Sequence, residues 1–197
     1  MRVDLIVEDS AHELFLRPMI YRLGNERGIS IVINTISAIG GRPRVLSTAR
    51  TFAATSAVLG EGIPDALVIA TDGNCVGFNA RRNELGDAIP DHLSAFVTMA
   101  IPDPHIERWL LADPVAFQTA VGIGVQAPQR KCDRAFYKNF LSKSVADAGH
   151  SSTLGGIEFS KDIVSEMDID RACKNDDSLN HFVRSFRGAT ARFRGPQ

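Results

Sequence analysis

Residues 66–74 read ALVIATDGN, a nearly all-apolar run that ends in an acid, a glycine and an amide. Unbroken apolar runs of this length are typical of strands buried on both faces of a parallel sheet. Similar short segments occupy residues 2–8, 29–36 and 95–101, and stretches with helical spacing separate them. Alternating strands and helices predict an α/β fold with a small, mostly parallel sheet flanked by helices.

Polar side chains stand where two of these strands end. Glu8 closes the first strand, Asp72 closes the third, and Asn74 follows two residues later. In open α/β sheets, functional groups collect at the carboxyl ends of the strands. If the two strands are neighbours, these oxygens face one pocket that suits Mg²⁺ or Mn²⁺. The alternative is structural: a tight Asp-Gly-Asn turn, with Glu8 as an acid leading into a helix.

Composition excludes several classes of protein. The chain has 197 residues, 44% of them hydrophobic, and its 22 basic and 23 acidic residues give a formal net charge of -1. These values are ordinary for a globular domain and exclude a histone-like basic surface. The sequence has no apolar run long enough to span a bilayer, and acids interrupt its amino terminus where a signal peptide is apolar. The three cysteines form no CxxC pair and fit reduced thiols, so we expect a cytoplasmic protein.

Beyond residue 102 the strands end and helical spacing dominates, with helices predicted near 132–147, 157–167 and 176–187. A break is expected at Asp113-Pro114, because the residue before proline disfavours helix. We expect an α/β core over residues 1–120 and a helical carboxyl-terminal cap over 121–197, within one folding unit.

Two groups of basic residues are candidates for contact with nucleic acid. Arg42 and Arg44 lie in a GGRPR loop that would offer amides and guanidiniums to a phosphate. Lys131 and Lys138 fall on roughly one face of a predicted helix. A solvated turn and an ordinary soluble surface are the alternatives.

Three motifs carry a resemblance to a known family. Residues 7–16, VEDSAHELFL, are similar to the VEGxTE..FL opening of Toprim domains, the topoisomerase–primase fold. Residues 68–74, VIATDGN, resemble the strand that carries the DxD motif of that fold. Residues 101–113, IPDPHIERWLLAD, resemble the P..EaWLLAD block of a small Toprim-like family. The block also contains Trp109, which is expected to be a buried anchor in preference to a surface for stacking bases.

The resemblance implies roles for individual residues. Glu8 matches the glutamate that acts in acid–base chemistry or holds metal, and Asp72 matches the first acid of the DxD pair. Asn74 stands in place of the second acid, which implies weaker metal binding or lost activity. Asp9 replaces a glycine and either compensates for that lost charge or caps the helix. Glu107 is either a second-site metal ligand or a salt-bridge partner of Arg108 or another neighbour.

The function implied is Mg²⁺- or Mn²⁺-dependent cleavage of DNA or RNA. Related Toprim nucleases are often paired with a separate ATPase in bacterial anti-phage defence, and the chain has no GxxxxGK[ST] phosphate-binding loop of its own. The alternative is a degenerate Toprim module that binds nucleic acid or a partner ATPase without cleavage. Hydrolysis of small phosphate esters is a third possibility.

Overall fold

The computed structural model describes residues 1–59, 64–126, 133 and 135–193. Its sheet has four strands: β1 (Arg2–Val7), β2 (Val32–Ser37), β3 (Ala66–Ala70) and β4 (Val97–Ala100). The strands lie in the order β2-β1-β3-β4, and every neighbouring pair is parallel. The predicted α/β fold is confirmed.

The regular elements between the strands and after β4 are helices in the described part of the chain. They are α1 (Ser10–Asn25), α2 (Arg42–Leu59), α3 (Gly77–Gly86), α4 (Asp91–Ser94), α5 (Ile106–Leu110), α6 (Pro114–Val121), α7 (Phe136–Asp147), α8 (Ser160–Glu166), α9 (Ile169–Asn175) and α10 (Asp177–Thr190). Short 3-10 turns occupy Asn74–Val76, Ile157–Phe159 and Ala191–Phe193.

The sheet separates two layers of helices because successive side chains of a strand point to opposite faces. Val3, Leu5 and Val7 of β1 join a large core formed with α1 and the helices that follow β4. Ile6, on the other face of β1, joins a smaller core formed with α2, α3 and α4. The larger core includes side chains from β1 through α10. Of the helices after residue 120, α10 packs on β4, whereas α8 packs on α1 and α7 packs on α5.

The order of the strands fixes where a site can form. The chain leaves β1 for β2 on one side, whereas β3 and β4 lie on the other side of β1. Such a switch of direction opens a crevice at the carboxyl ends of the two central strands, here β1 and β3. The residues that follow these strands are Glu8 and the pair Thr71–Asp72.

The segment after β4 forms two short helices with a break between them. Helix α5 covers only Ile106–Leu110, and Asp113 then caps a new helix by accepting hydrogen bonds from the amides of Val115 and Ala116. The break at Asp113-Pro114 is confirmed, and Pro114 starts α6 because its missing N–H costs nothing in the first turn.

Trp109 is the anchor of this helical layer. Its indole has no exposed surface and packs against Phe15 and Phe182, each with ring centroids 5.6 Å away. Its Nε1 donates a hydrogen bond of 2.8 Å to Oγ of Ser178. The expectation of a buried anchor is confirmed. Across the described residues, we find no helix with the length and apolar character needed to cross a membrane.

Candidate functional site

Glu8 and Asp72 meet at the crevice between β1 and β3. Oε2 of Glu8 accepts hydrogen bonds from the hydroxyl of Thr71 and from the backbone amide of Asp72, the latter at 3.3 Å. Thr71 is fully buried, so its hydroxyl holds the Glu8 carboxylate against the end of β3. Two residues 64 positions apart in sequence thus place their carboxylates at one edge.

The carboxylate of Asp72 is held by the segment after β4 and by α1. Oδ1 accepts a hydrogen bond of 3.1 Å from the amide of Ile106, and Oδ2 lies 3.0 Å from Nδ1 of His105. Nε2 of His12, a fully buried imidazole, lies 3.2 Å from Oδ1 but is not aligned for a hydrogen bond. The His12–Asp72 contact is therefore an ion pair without a hydrogen bond.

Asp9 both caps α1 and pairs with His12. Its Oδ1 accepts a hydrogen bond of 3.1 Å from the His12 amide and lies 2.8 Å from Nδ1 of the same ring. The capping alternative drawn from the sequence is confirmed. Because the imidazole stands between two carboxylates, it links Asp9 to Asp72 through the protein interior.

These contacts shift the pKa values of the linked groups. Burial would lower the pKa of His12, but the nearby carboxylates of Asp72 and Asp9 raise it to about 10. Burial would raise the pKa of Asp72, but His12 and His105 lower it to about 2. A hydrogen bond to Asp72 raises the pKa of His105 despite partial burial. At neutral pH the Asp72 carboxylate is thus ionised beside the cationic imidazole of His12.

Glu107 interacts electrostatically with Asp72, His105 and His12. Burial raises its pKa, and the negative charge of Asp72 raises it further. The expected ion pair with Arg108 does not form, because Nε of Arg108 instead contacts Oδ2 of Asp176 at 2.5 Å. Glu107 has no ion pair to any described residue, so one of its two sequence-based alternatives, a salt bridge to Arg108, is wrong.

Asn74 lies against the backbone beside Asp72. Its φ of +50° is in the left-handed region, which asparagine tolerates better than most residues. Its Nδ2 donates a 3.4 Å hydrogen bond to the Asp72 carbonyl, and its amide donates one of 2.9 Å to the Pro104 carbonyl. A Cβ at Gly73 would lie 3.0 Å from the Pro102 carbonyl oxygen, so this close approach of two loops requires glycine.

The GGRPR loop leads into α2 beside Glu8. Gly40 and Gly41 both have positive φ, and a Cβ on Gly41 would lie 3.8 Å from Oε1 of Glu8. Arg42 forms an ion pair with Glu84 of α3, which also pairs with Arg81.

Two of the remaining basic candidates lie on the surface. Arg44 is exposed in the first turn of α2, and Lys138 is exposed on α7. Lys131 lies outside the described residues. Of the two arginines in the GGRPR loop, Arg42 is paired with Glu84. Arg44 is therefore the better candidate for contact with a phosphate near Glu8.

The donor chemistry fits a hard cation better than a soft one. Carboxylate and amide oxygens from Glu8, Asp72 and Asn74 are ligands that Mg²⁺ and Mn²⁺ prefer. Oε1 of Glu8 accepts no hydrogen bond from the described part of the chain, and Oδ2 of Asp72 has one contact, to His105, of the two that a carboxylate oxygen can accept. Among the described residues, no group of three or more His, Cys, Asp and Glu side chains is placed to hold a metal ion. The sequence-based metal ligands therefore stay a prediction.

Two residues of this cluster, His12 and His105, have no assigned role in the sequence-based prediction. The spacing of the histidines does not match a zinc site, and zinc-site spacing is the sequence pattern that identifies functional histidines most readily. A different signal was present: each follows the end of a strand, His12 after β1 and His105 after β4. The rule that functional groups collect at the carboxyl ends of strands selects Glu8 and Asp72, and it applies equally to His12 and His105.

Searches of protein-family models, curated proteins and solved structures give no match to this chain.

Proposed function

We propose that the crevice between β1 and β3 cleaves phosphodiester bonds of DNA or RNA with the help of a divalent cation. The observation that carries the proposal is the convergence of Glu8 and Asp72, with Oε2 of Glu8 3.3 Å from the Asp72 amide. Paired carboxylates at the switch point of a parallel sheet are positioned to hold a cation and a phosphate together. The resemblance of the sequence to Toprim domains supports the same chemistry.

Glu8 and Asp72 would have different duties. Glu8 keeps one carboxylate oxygen uncommitted, so it would hold the cation or accept a proton from the attacking water. Asp72 is held by Ile106, His105 and His12, so its orientation is fixed before any ligand arrives. Asn74 would add a neutral oxygen. When bound, Mg²⁺ or Mn²⁺ would neutralise charge on the phosphate oxygens.

Substrate binding would use groups around the mouth of the crevice. The exposed guanidinium of Arg44 would offer positive charge in the first turn of α2, which begins beside Glu8. Lys138 and Lys131 would extend the contact along the phosphate backbone if the nucleic acid runs in their direction. Glu107 would act as a second-site ligand, since it follows Ile106, whose amide bonds to Asp72.

The biological setting we propose is an effector nuclease of an ATPase-associated anti-phage defence system. This part of the proposal rests on the resemblance to Toprim nucleases. A separate ATPase subunit would then gate the activity of the crevice.

A second candidate has a specific observation in its favour. His12 and His105 already contact both oxygens of Asp72, and Asn74 replaces the second acid of the DxD pattern. Both features reduce the negative charge available to a cation. They favour a module that binds nucleic acid or a partner ATPase without cleavage.

The deciding experiment incubates the full chain with plasmid DNA and with transfer RNA, in Mg²⁺, in Mn²⁺ and in excess EDTA. It is run with and without the product of the neighbouring gene. Glu8→Gln is the informative variant, because Asp72 also holds three other groups and its replacement would disturb them. Glu13→Gln on α1, a half-exposed glutamate, is the matched control.

We expect cation-dependent cleavage that falls by about 100-fold or more in Glu8→Gln and is unchanged in Glu13→Gln. Cleavage that survives EDTA, or that Glu8→Gln leaves intact, would overturn the proposed mechanism. Retention of nucleic acid with no cleavage in any mixture would support the binding module instead.

A further inference from the structure

The outer edge of the sheet at β2 is open in the described part of the chain. β2 pairs with β1 on one side, and its other side has no strand beside it. Val32 and Ala38 donate their amides to Met1 and Val7 on the β1 side. Backbone groups of a strand alternate in direction, so the amides of Ile33, Thr35 and Ser37 point outward.

This edge lacks the features that keep sheet edges apart. Natural proteins protect open edges with charged side chains, proline or a covering segment. Residues 29–39 read ISIVINTISAI and contain no charged residue and no proline. Val32, at the start of β2, is 65% exposed, and Ile39, at the end of the stretch, is 75% exposed. Large apolar side chains at an unpaired edge expose both hydrophobic surface and unsatisfied hydrogen-bonding groups.

We propose that β2 pairs antiparallel with β2 of a second copy of this chain, so that the two sheets become one continuous sheet in a two-fold dimer. In a two-fold pair each residue faces its own equivalent or a symmetric partner position, so a charged strand would repel itself. The uncharged 29–39 stretch meets this requirement. A second copy is the occupant that an uncharged, self-complementary edge fits.

The outward amides select a register. Centring the two-fold axis on Thr35 makes Thr35 face Thr35 of the partner subunit as a hydrogen-bonded pair. Ile33 then faces Ser37 of the partner subunit, and Ile31 faces Ile39 of the partner subunit. The exposed isoleucine of each copy thereby gains an apolar cross-strand neighbour.

Charges beside the edge do not oppose this arrangement. Arg17 of α1 donates a 3.0 Å hydrogen bond to Oγ1 of Thr35 and so lies near the proposed axis. Its guanidinium is 3.7 Å from Oε1 of Glu13, which balances its charge within each copy. The pairing does not involve Glu8 or Asp72, so the dimer and the proposed cleavage are tested separately.

The test measures mass in solution by light scattering and sedimentation. The full chain is expected at twice its chain mass of 21.4 kDa at micromolar concentration. Val32→Lys with Ile39→Lys places charges at the edge, at two positions exposed enough to leave the fold intact. The matched control is Val115→Lys with Leu154→Lys, whose side chains are 54% and 59% exposed elsewhere on the surface.

We expect the edge variant at the mass of one chain and the control at twice that mass. Hydrogen exchange of the wild-type chain should show the amides of Ile33, Thr35 and Ser37 protected more strongly as concentration rises. A wild-type chain that stays at 21.4 kDa, or an edge variant that still dimerises, would overturn the proposal. A dimer whose β2 amides exchange as fast as at dilution would overturn it as well.

Discussion

Nε2 of His12 lies 3.2 Å from Oδ1 of Asp72, although the imidazole has no exposed surface. A buried charge is costly unless it is paired, and this one is paired twice, because Oδ1 of Asp9 lies 2.8 Å from Nδ1 of the same ring. The first turn of α1 therefore supplies the internal positive charge that stabilises the carboxylate at the end of β3.

Replacing His12 with leucine should destabilise the fold by about 2–3 kcal/mol. The substitution keeps an apolar side chain in the buried space but leaves Asp72 without one of its counter-charges. The measurement is the free energy of unfolding in urea. His92→Leu, at an exposed histidine of α4, is the control and should stay within about 0.5 kcal/mol of wild type. Equal stabilities for the two variants would show that the His12 contacts contribute nothing.

The same pairing predicts a pH dependence. The pKa of His12 rises from 6.5 to about 10 in the folded chain. Because the folded pKa is the higher one, the stabilisation is fully present below pH 6.5 and is lost as pH rises toward 10. The stability difference between wild type and His12→Leu should therefore shrink over that range, by at most about 1.4 kcal/mol per pH unit. A difference that stays constant between pH 7 and 9 would contradict the raised pKa.

Trp109→Ala should cost about 3–5 kcal/mol of unfolding free energy, since it removes a fully buried indole and leaves a cavity between Phe15 and Phe182. Leu154→Ala, at a 59% exposed site, should cost little. Because Trp109 is the one tryptophan of the sequence, its fluorescence also reports unfolding directly in wild type. A loss below about 1 kcal/mol in Trp109→Ala would mean that the indole is not the anchor described above.

Thr71→Val should weaken Mn²⁺ binding by about tenfold, because the hydroxyl that orients Glu8 is lost while the side-chain volume is kept. Isothermal titration of Mn²⁺ measures the effect. Thr119→Val, at an exposed threonine of α6 whose hydroxyl bonds its own helix, is the control. An unchanged Mn²⁺ affinity in Thr71→Val would show that Thr71 does not contribute to the proposed cation site.

The sequence predicts the sheet well because its signal is local. Residues 66–70 are apolar at every position and form a strand buried at every position. The helices after β4 are harder to predict from the sequence. The end of a short helix such as Ile106–Leu110 depends on tertiary contacts and on Asp113, which caps the next helix. The order β2-β1-β3-β4 depends on contacts between distant segments, which no local pattern contains.

The site is predicted in part for the same reason. Glu8 and Asp72 are found because both follow apolar strands, and strand ends share an edge. The links from His12 to Asp9 and Asp72 are not found, because they depend on the rotation of α1 relative to the sheet. Arg108 is close in sequence to Glu107, yet it pairs with Asp176, which α10 brings from 68 residues away.

Calorimetric titration of Mn²⁺ into the wild-type chain and into Glu8→Gln tests the central claim most directly, because it needs no substrate and no partner. We predict one ion bound per wild-type chain and an affinity lowered at least about tenfold in Glu8→Gln, with Glu13→Gln unchanged. No binding by the wild-type chain, or equal binding by Glu8→Gln, would contradict a cation site at the crevice between β1 and β3.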